Sequence, residues 1–482
     1  MGRDRHSILS VASECVPFVK TGGLADVVGS LPHALSKLGW RTRVLLPAYR
    51  GLLEQFDELT PVWEHGELFG GYGVVLAGRY AGLDMLMLDA PHLFDRPGGP
   101  YSIDGHDHPD NHVRFAALSW VGARLAIDGT AEGWRPDIIH AHDWQAGLVP
   151  SYLRYAGVSV PTVMTIHNVA FQGVFGADQL DALRLPTWDF HSEALEYHGL
   201  VSSLKAGLVH ASKVTTVSAT YSEQLTTPEY GFGLHGVIAD RARRGDMLGI
   251  VNGIDVATWD PATDPHIASY GVGNMRAKTK NRRALIKMFG LRPPDGPLAV
   301  VVTRLSYQKG IDLLLDALPG FIESGGAVIV LGSGEPQYEY GLVQLADRYP
   351  ESVGVRIGYD EPLSHQLYAG ADLVVVPSRF EPCGLTQLFG LRYGAVPLVA
   401  STGGLRDTVV DVTDESLAKG IATGFTFTDV SAGGLAHGFA RAVSLYADRP
   451  RWRKLRKRGM ETPVGWGASA QHYARLFAEL LT

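Results

Sequence analysis

The sequence predicts an α/β protein made of two open domains, each built on a mostly parallel sheet. Short apolar runs alternate with segments of helical period, and the alternation occurs twice, once before residue 245 and again from Pro297. The length of 482 residues exceeds what one ordinary core holds. A hydrophobic fraction of 45% against a charged fraction of 19% is enough to bury two cores.

The elements follow in order. Ile8 to Ala12 is an apolar run that reads as a buried strand. Leu24, Val27, Val28, Leu31, Ala34, Leu35 and Leu38 keep one face apolar at helical period, and Gly39 suits a helix C-terminus. Arg41–Pro47 reads as a strand, 72–88 as a hairpin, and 98–111 as a polar surface loop. A helix is expected over 112–127. Strands follow at 137–141, 162–166 and 214–217, ending in His142-Asp143-Trp144, His167-Asn168 and Ser218. In a parallel sheet, ligands bind beyond such carboxyl ends. Gly249 to Val251 closes the first series. The second has strands at 298–303, 327–331, 354–357, 373–376 and 397–400, with helices at 311–318, 339–348 and 385–393 and a last one at 468–481. The expected domains are 1–245 and 246–456, with 457–482 as a terminal helical segment.

Net charge is −7, from 43 basic and 50 acidic side chains without long blocks of either sign. That argues against nucleic acid or an anionic membrane as partner. No run is long enough to span a bilayer and no signal-peptide pattern is present, so the cytoplasm is expected. Cys15 and Cys383 form neither a disulfide framework nor a metal knuckle. Nothing in the sequence sets an oligomeric state.

Lys20-Thr21-Gly22-Gly23-Leu24-Ala25-Asp26 joins the first strand to the first helix. Two glycines, a helix N-terminus and a lysine make an anion site, or simply a tight turn with a solvated lysine. Arg304 and Lys309 lie at a later strand-to-helix junction, where a planar fork and a point charge together suit a diphosphate. Ser378-Arg379-Phe380-Glu381-Pro382-Cys383-Gly384-Leu385-Thr386 lies at another. Backbone N–H groups near Gly384, Leu385 and Thr386 would face an anion there. A carboxylate at Glu381 either serves sugar hydroxyls and developing positive charge or balances the helix dipole. Thr21-Gly22-Gly23-Leu24 recurs as Thr402-Gly403-Gly404-Leu405, again after a strand. The dinucleotide G-x-G-x-x-G, the phosphate-binding P-loop and H-E-x-x-H are all missing, as is a D-x-D pair to anchor a divalent ion. The histidines of 106–112 lack metal-ligand spacing. No metal and no cofactor are expected.

The ordered stretches KTGGLADVVGSLP, HAHDWQAG, TIHNVAFQG, VNGID, TRLSYQKGID and SRFEPCGLTQL resemble those of the bacterial glycogen synthases and plastid starch synthases. The resemblance implies a glycosyltransferase-B fold, with two Rossmann-like domains across a cleft and a last helix crossing back to the first domain. It implies transfer of glucose from ADP-glucose to the non-reducing end of an α-1,4-glucan such as glycogen, with retention and release of ADP. By motif, it places Lys20, Gly22, Gly23 and Asp26 at the sugar nucleotide. Arg304 and Lys309 fall on the diphosphate, and Cys383, Gly384, Leu385 and Thr386 in a turn of backbone donors. His167 falls beside the transferred glucose, Asp143, Asn168 and Asn252 around its pocket, and Glu381 on its hydroxyls. Phe389 stands where many retaining transferases carry a second glutamate. Rival readings are a transferase using another sugar nucleotide and a sugar-binding protein without chemistry.

Overall fold

A computed structural model of the chain describes residues 6–482. In the first unit, β1 (Ser7–Val11), α1 (Gly23–Ser36), β2 (Arg41–Pro47), β3 (Thr60–His65), β4 (Gly73–Tyr80) and β5 (Leu83–Asp89) come first. They are followed by α2 (Asn111–Asp128), β6 (Ile138–His142), β7 (Thr162–Ile166), β8 (Lys213–Thr216) and β9 (Met247–Gly249). These strands form one sheet in the order β9-β8-β7-β6-β1-β2-β5-β4-β3. It is parallel from β9 to β5, and β3 and β4 extend it antiparallel. Every residue of β1, β6 and β7 is buried, as in strands covered on both faces.

The second unit begins beyond Asn252. Its elements are α3 (Arg276–Met288), β10 (Leu298–Val302), α4 (Ile311–Glu323), β11 (Ala327–Gly332), α5 (Pro336–Arg348), β12 (Val353–Ile357), α6 (Glu361–Gly370) and β13 (Leu373–Val376). Then come α7 (Thr386–Tyr393), β14 (Val396–Ala400), α8 (Gly403–Thr408), β15 (Phe425–Phe427), α9 (Ala432–Ala447) and α10 (Arg449–Glu461). The sheet order is β12-β11-β10-β13-β14-β15, parallel throughout. Counted along the unit this is 3-2-1-4-5-6, the doubly wound order of nucleotide-binding domains.

The division falls at Asn252–Gly253 and at Gly465–Trp466, where 245–246 and 456–457 were expected. Its positions follow from packing. Trp452, Leu455 and Met460 of α10 belong to the cores of the second unit. The last helix, α11 (Gly467–Leu480), belongs to the first. Trp466, Ala470, Tyr473, Leu476 and Phe477 are buried with Val27, Leu31 and Leu35 of α1, and Trp466 Nε1 donates to Ser30 Oγ at 2.7 Å. Each such fully buried large side chain contributes about 1.5–3 kcal/mol.

One expectation is revised, and one helix is added. The helix expected to stop at Leu318 runs through Pro319 to Glu323. The proline costs about 3 kcal/mol, but the added turn buries Phe321 against Phe439, ring centroids 4.3 Å apart. The polar stretch between the two sheets contains α3, whose Lys278, Asn281, Leu285 and Ile286 form one buried face.

In each sheet, strand order reverses at one place: between β1 and β6 in the first, between β10 and β13 in the second. The loops leaving those four strands carry the Lys20 segment, His142-Asp143, Arg304–Lys309 and Ser378–Thr386. Open α/β sheets bind ligands at this crevice.

Candidate active site

In the second unit, Lys309 Nζ donates to Glu381 Oε2 at 2.6 Å, and Ser378 Oγ donates to the same oxygen at 2.8 Å. Glu381 is buried. A carboxylate there needs its charge met, and the lysine and serine meet it. The ammonium of Lys309 has three N–H donors, more than its contact with Glu381 uses. The loops carrying these residues are joined by backbone and side chain. Arg379 N donates to Gln308 O at 2.9 Å and Gln308 Nε2 to Phe380 O at 3.0 Å. The Arg379 guanidinium forks onto Asp312 at 2.7 and 2.6 Å and lies 3.7 Å over the Tyr307 ring. Arg304 is exposed at the carboxyl end of β10.

The turn after Glu381 is set by sterics. Gly384 has φ +70°, and a Cβ there would stand 2.4 Å from Gln387 Oε1. Gln387 is fully buried and its Nε2 donates to Cys383 O at 3.1 Å and Gly384 O at 2.7 Å. Leu385 precedes α7, Thr386 opens it, and no side chain caps its first N–H groups. Cys383 is buried beneath. The repeated Thr-Gly-Gly-Leu supports this turn from behind, since Gly404 N donates to both Glu381 O and Pro382 O at 3.1 Å. Phe389 is a core residue stacked on Trp259, centroids 3.9 Å apart.

In the first unit, the Lys20 loop is held by Glu14, which sequence reasoning missed. Its Oε2 accepts from Thr21 N at 2.5 Å and Gly22 N at 3.2 Å, and its Oε1 from Thr21 Oγ1 at 2.5 Å and Tyr101 OH at 2.6 Å. The amides expected to await an external anion thus already face a carboxylate. Gly22 is extended at φ −156° with open space around its Cα, and Gly23 begins α1. Lys20 Nζ donates to Asp26 Oδ1 at 2.9 Å. No local pattern marks Glu14: its partner Tyr101 is 87 positions away.

Asp143 follows β6 with φ +53° and ψ −171°, a strained conformation for a residue with a side chain. Its Oδ1 accepts from His167 N at 2.7 Å and Asn168 N at 3.3 Å, tying together the ends of β6 and β7. Burial pushes its carboxyl up to about 7 against those two bonds. Asn168 turns its own Oδ1 onto Ala170 N at 3.1 Å. The His167 ring is buried with its pKa lowered to about 3 by desolvation, so it is neutral. Its Nε2 lies 3.0 Å from His142 Nδ1. Asn252 is buried, and its Oδ1 has no hydrogen-bond partner among the described residues. Such an acceptor is stabilised by a ligand donor.

Lys309 and Glu381 are thus in direct contact, as are Lys20 with Asp26, and Asp143 with His167 and Asn168. Arg304 and Asn252 stand apart from these contacts. No group of three or more His, Cys, Asp or Glu side chains among the described residues is placed to hold a metal ion, and no described helix is long and apolar enough to cross a membrane.

The family model for the starch synthase catalytic domain matches residues 7–240, and that for glycosyl transferases group 1 matches 283–459. A glycogen synthase of Cereibacter sphaeroides is 53% identical over 99% of both chains. Glycogen synthase 1 of Rhizobium meliloti is 49% identical over 98% of this chain and 99% of its own. Among solved structures, the catalytic domain of starch synthase IV from Arabidopsis thaliana bound to ADP and acarbose superposes with a TM-score of 0.90. It shares 31% identity and covers 99% of this chain and all of that one. A sucrose-phosphate synthase from Thermosynechococcus elongatus, at 19% identity and TM-score 0.61 over 99% of each chain, shares the fold.

Proposed function

The chain belongs to the glycogen synthase family, with the glycosyltransferase-B fold, and transfers glucose from ADP-glucose to the non-reducing end of an α-1,4-glucan with retention of configuration, and we propose that the residues described above carry that reaction. ADP leaves with negative charge concentrating on its β-phosphate. Arg304 and Lys309 stabilise that charge, more strongly in the transition state than in the ground state. Lys20 and its loop bind the sugar nucleotide, with Asp26 setting the lysine and Glu14 the loop. The α7 N-terminus at Gly384, Leu385 and Thr386 adds backbone donors, and Cys383 shapes their turn. Glu381 holds glucose hydroxyls and favours positive charge at the anomeric carbon. His167 lies beside the transferred sugar, with Asp143, Asn168 and Asn252 lining its pocket.

The observation that carries this assignment is the Lys309–Glu381–Ser378 cluster around a buried carboxylate, at the point where strand order reverses. It sets a cation for a departing phosphate beside an anion for a sugar. The acceptor hydroxyl attacks from the face the phosphate leaves, and its proton passes to the departing phosphate. A covalent glucosyl-enzyme trapped during turnover would overturn that route. Fixed cations supply the charge stabilisation, so we propose that turnover needs no metal; activity lost on chelation and restored by a divalent ion would contradict this. Incubation with radiolabelled ADP-glucose and glycogen tests the whole assignment. Label is expected in polymer, and folded protein that leaves polymer unlabelled would overturn it.

A further inference from the structure

Three neighbouring strands of the first sheet bring three polar side chains into one line. Ser10 on β1 is buried, and its Oγ lies 3.1 Å from Nε2 of His142, the last residue of β6. His142 is itself buried, and its Nδ1 lies 3.0 Å from Nε2 of His167, just beyond β7. The functional assignment above gives Ser10 and His142 no role.

Proton positions follow from counting donors and acceptors. Both imidazoles are neutral, because burial lowers both below their ordinary value. Each ring therefore has one N–H and one lone pair. Two arrangements satisfy the ring-to-ring contact. In one, His167 Nε2–H donates to His142 and His142 Nε2–H donates to Ser10. The hydroxyl hydrogen of Ser10 is then buried without an acceptor, since Ser10 has no other side-chain partner among the described residues. A buried donor left unmade costs about 1–3 kcal/mol. In the other, Ser10 Oγ–H donates to His142 Nε2 and His142 Nδ1–H donates to His167 Nε2. Ser10 Oγ and both ring nitrogens of His142 are then satisfied, and the remaining proton of His167 is on Nδ1, which is not among the buried polar atoms left without a partner.

We propose that Ser10 and His142 are positioning residues that hold His167 as its Nδ1–H tautomer, so that it presents a hydrogen-bond donor to an oxygen of the transferred sugar and does not act as a base. The direction rests on the Ser10–His142–His167 geometry, and the sugar contact rests on the assignment of His167 given above. His140, on the same strand, does not compete for the line. Its ring centroid is 4.0 Å from that of His142, but its Nε2 bonds to Thr165 Oγ1 at 2.7 Å. Holding one tautomer matters because a ring in the wrong one offers a lone pair where the reaction needs a donor, and such reversals cost orders of magnitude in other enzymes.

The first test does not depend on catalysis. Long-range proton–nitrogen correlation spectra of the full chain labelled with 15N-histidine, assigned by comparison with His167→Asn, are expected to show His167 protonated at Nδ1. Protonation at Nε2 would overturn the proposal, whatever the reaction. The second test is kinetic. His142→Ala should lower kcat more than tenfold with ADP affinity unchanged, whereas His142→Asn, whose amide N–H can stand near the lost Nδ1, should recover most of that loss. Equal loss in the two variants with equal thermal stability, or no loss in either, would refute it. Should His142→Ala not fold, Ser10→Ala serves: it is expected to mix the His167 tautomers and lower kcat about threefold, and an unchanged spectrum would count against the proposal. A wild-type protein that shows the Nδ1 tautomer yet transfers no glucose would overturn the functional assignment instead.

Discussion

Lys309 Nζ and Glu381 Oε2 are 2.6 Å apart, with Glu381 buried and Lys309 half-buried, so each of these residues meets the charge of the other. The pair makes the two residues unequal to their exposed neighbour Arg304. On the proposed assignment, removing Lys309 takes away a phosphate donor, and it also leaves a buried carboxylate with only Ser378 Oγ. Removing Arg304 takes away a donor alone.

Lys309→Ala and Arg304→Ala are therefore expected to lower kcat by roughly a hundredfold or more, as loss of a transition-state donor does. Only Lys309→Ala should also lower the melting temperature, because it leaves a buried charge short of a partner. Paired kinetic and thermal measurements check this. Equal melting temperatures for both variants would contradict the structural half of the argument.

Glu381→Ala should lower turnover by about as much, while titration calorimetry should find ADP binding nearly intact, since the proposed assignment puts the carboxylate on the sugar. A variant that lost ADP binding but turned over bound donor normally would show that Glu381 belongs to the nucleotide.

Glu14→Ala removes the acceptor shared by Thr21 N, Thr21 Oγ1, Gly22 N and Tyr101 OH. The loop carrying Lys20 should loosen. Faster amide exchange at Thr21 and Gly22 is expected, with kcat/KM down by about tenfold or more, since misplaced binding groups cost that much. Unchanged exchange at those two amides would remove Glu14 from the account.

Asp143 gives a pH signature. Its carboxyl has a pKa of about 7 in the folded chain against an ordinary 3.8. Between those values the folded state holds a proton that the unfolded chain has released. Stability from this group is therefore full below the lower value and is lost as pH rises through the upper one. Asp143→Asn cannot ionise, so its melting temperature should exceed that of wild type by more at pH 8 than at pH 5, while activity is lost at both. A stability difference that does not change between the two pH values would mean that the carboxyl titrates normally.

Much of this arrangement was legible in the residues. Strands such as Leu373–Val376 and Leu298–Val302 are uninterrupted apolar runs because helices cover both faces of their sheet. The charged residues that follow them mark the carboxyl ends where chemistry collects. What escaped depends on tertiary contact. Glu14 acts through a tyrosine far along the chain, and Ser378 and Gln387 stand in no period. The helix Arg276–Met288 is rich in basic residues and escapes a reading of sequence pattern, because only its narrow face at Lys278, Asn281, Leu285 and Ile286 is buried. The antiparallel β3 alternates too weakly between exposed and buried positions to declare itself.

The glycines of the second Thr-Gly-Gly-Leu have a genetic consequence. A methyl group at Gly403 would stand 2.0 Å from the carbonyl oxygen of Glu381, and one at Gly404 would stand 2.2 Å from that of Cys383. Neither position bears any functional group, yet any side chain there displaces the turn that carries Glu381. An unbiased screen for alleles that abolish polymer synthesis should therefore return substitutions at 403 and 404 as readily as at 381. Such alleles would be null through backbone collision alone.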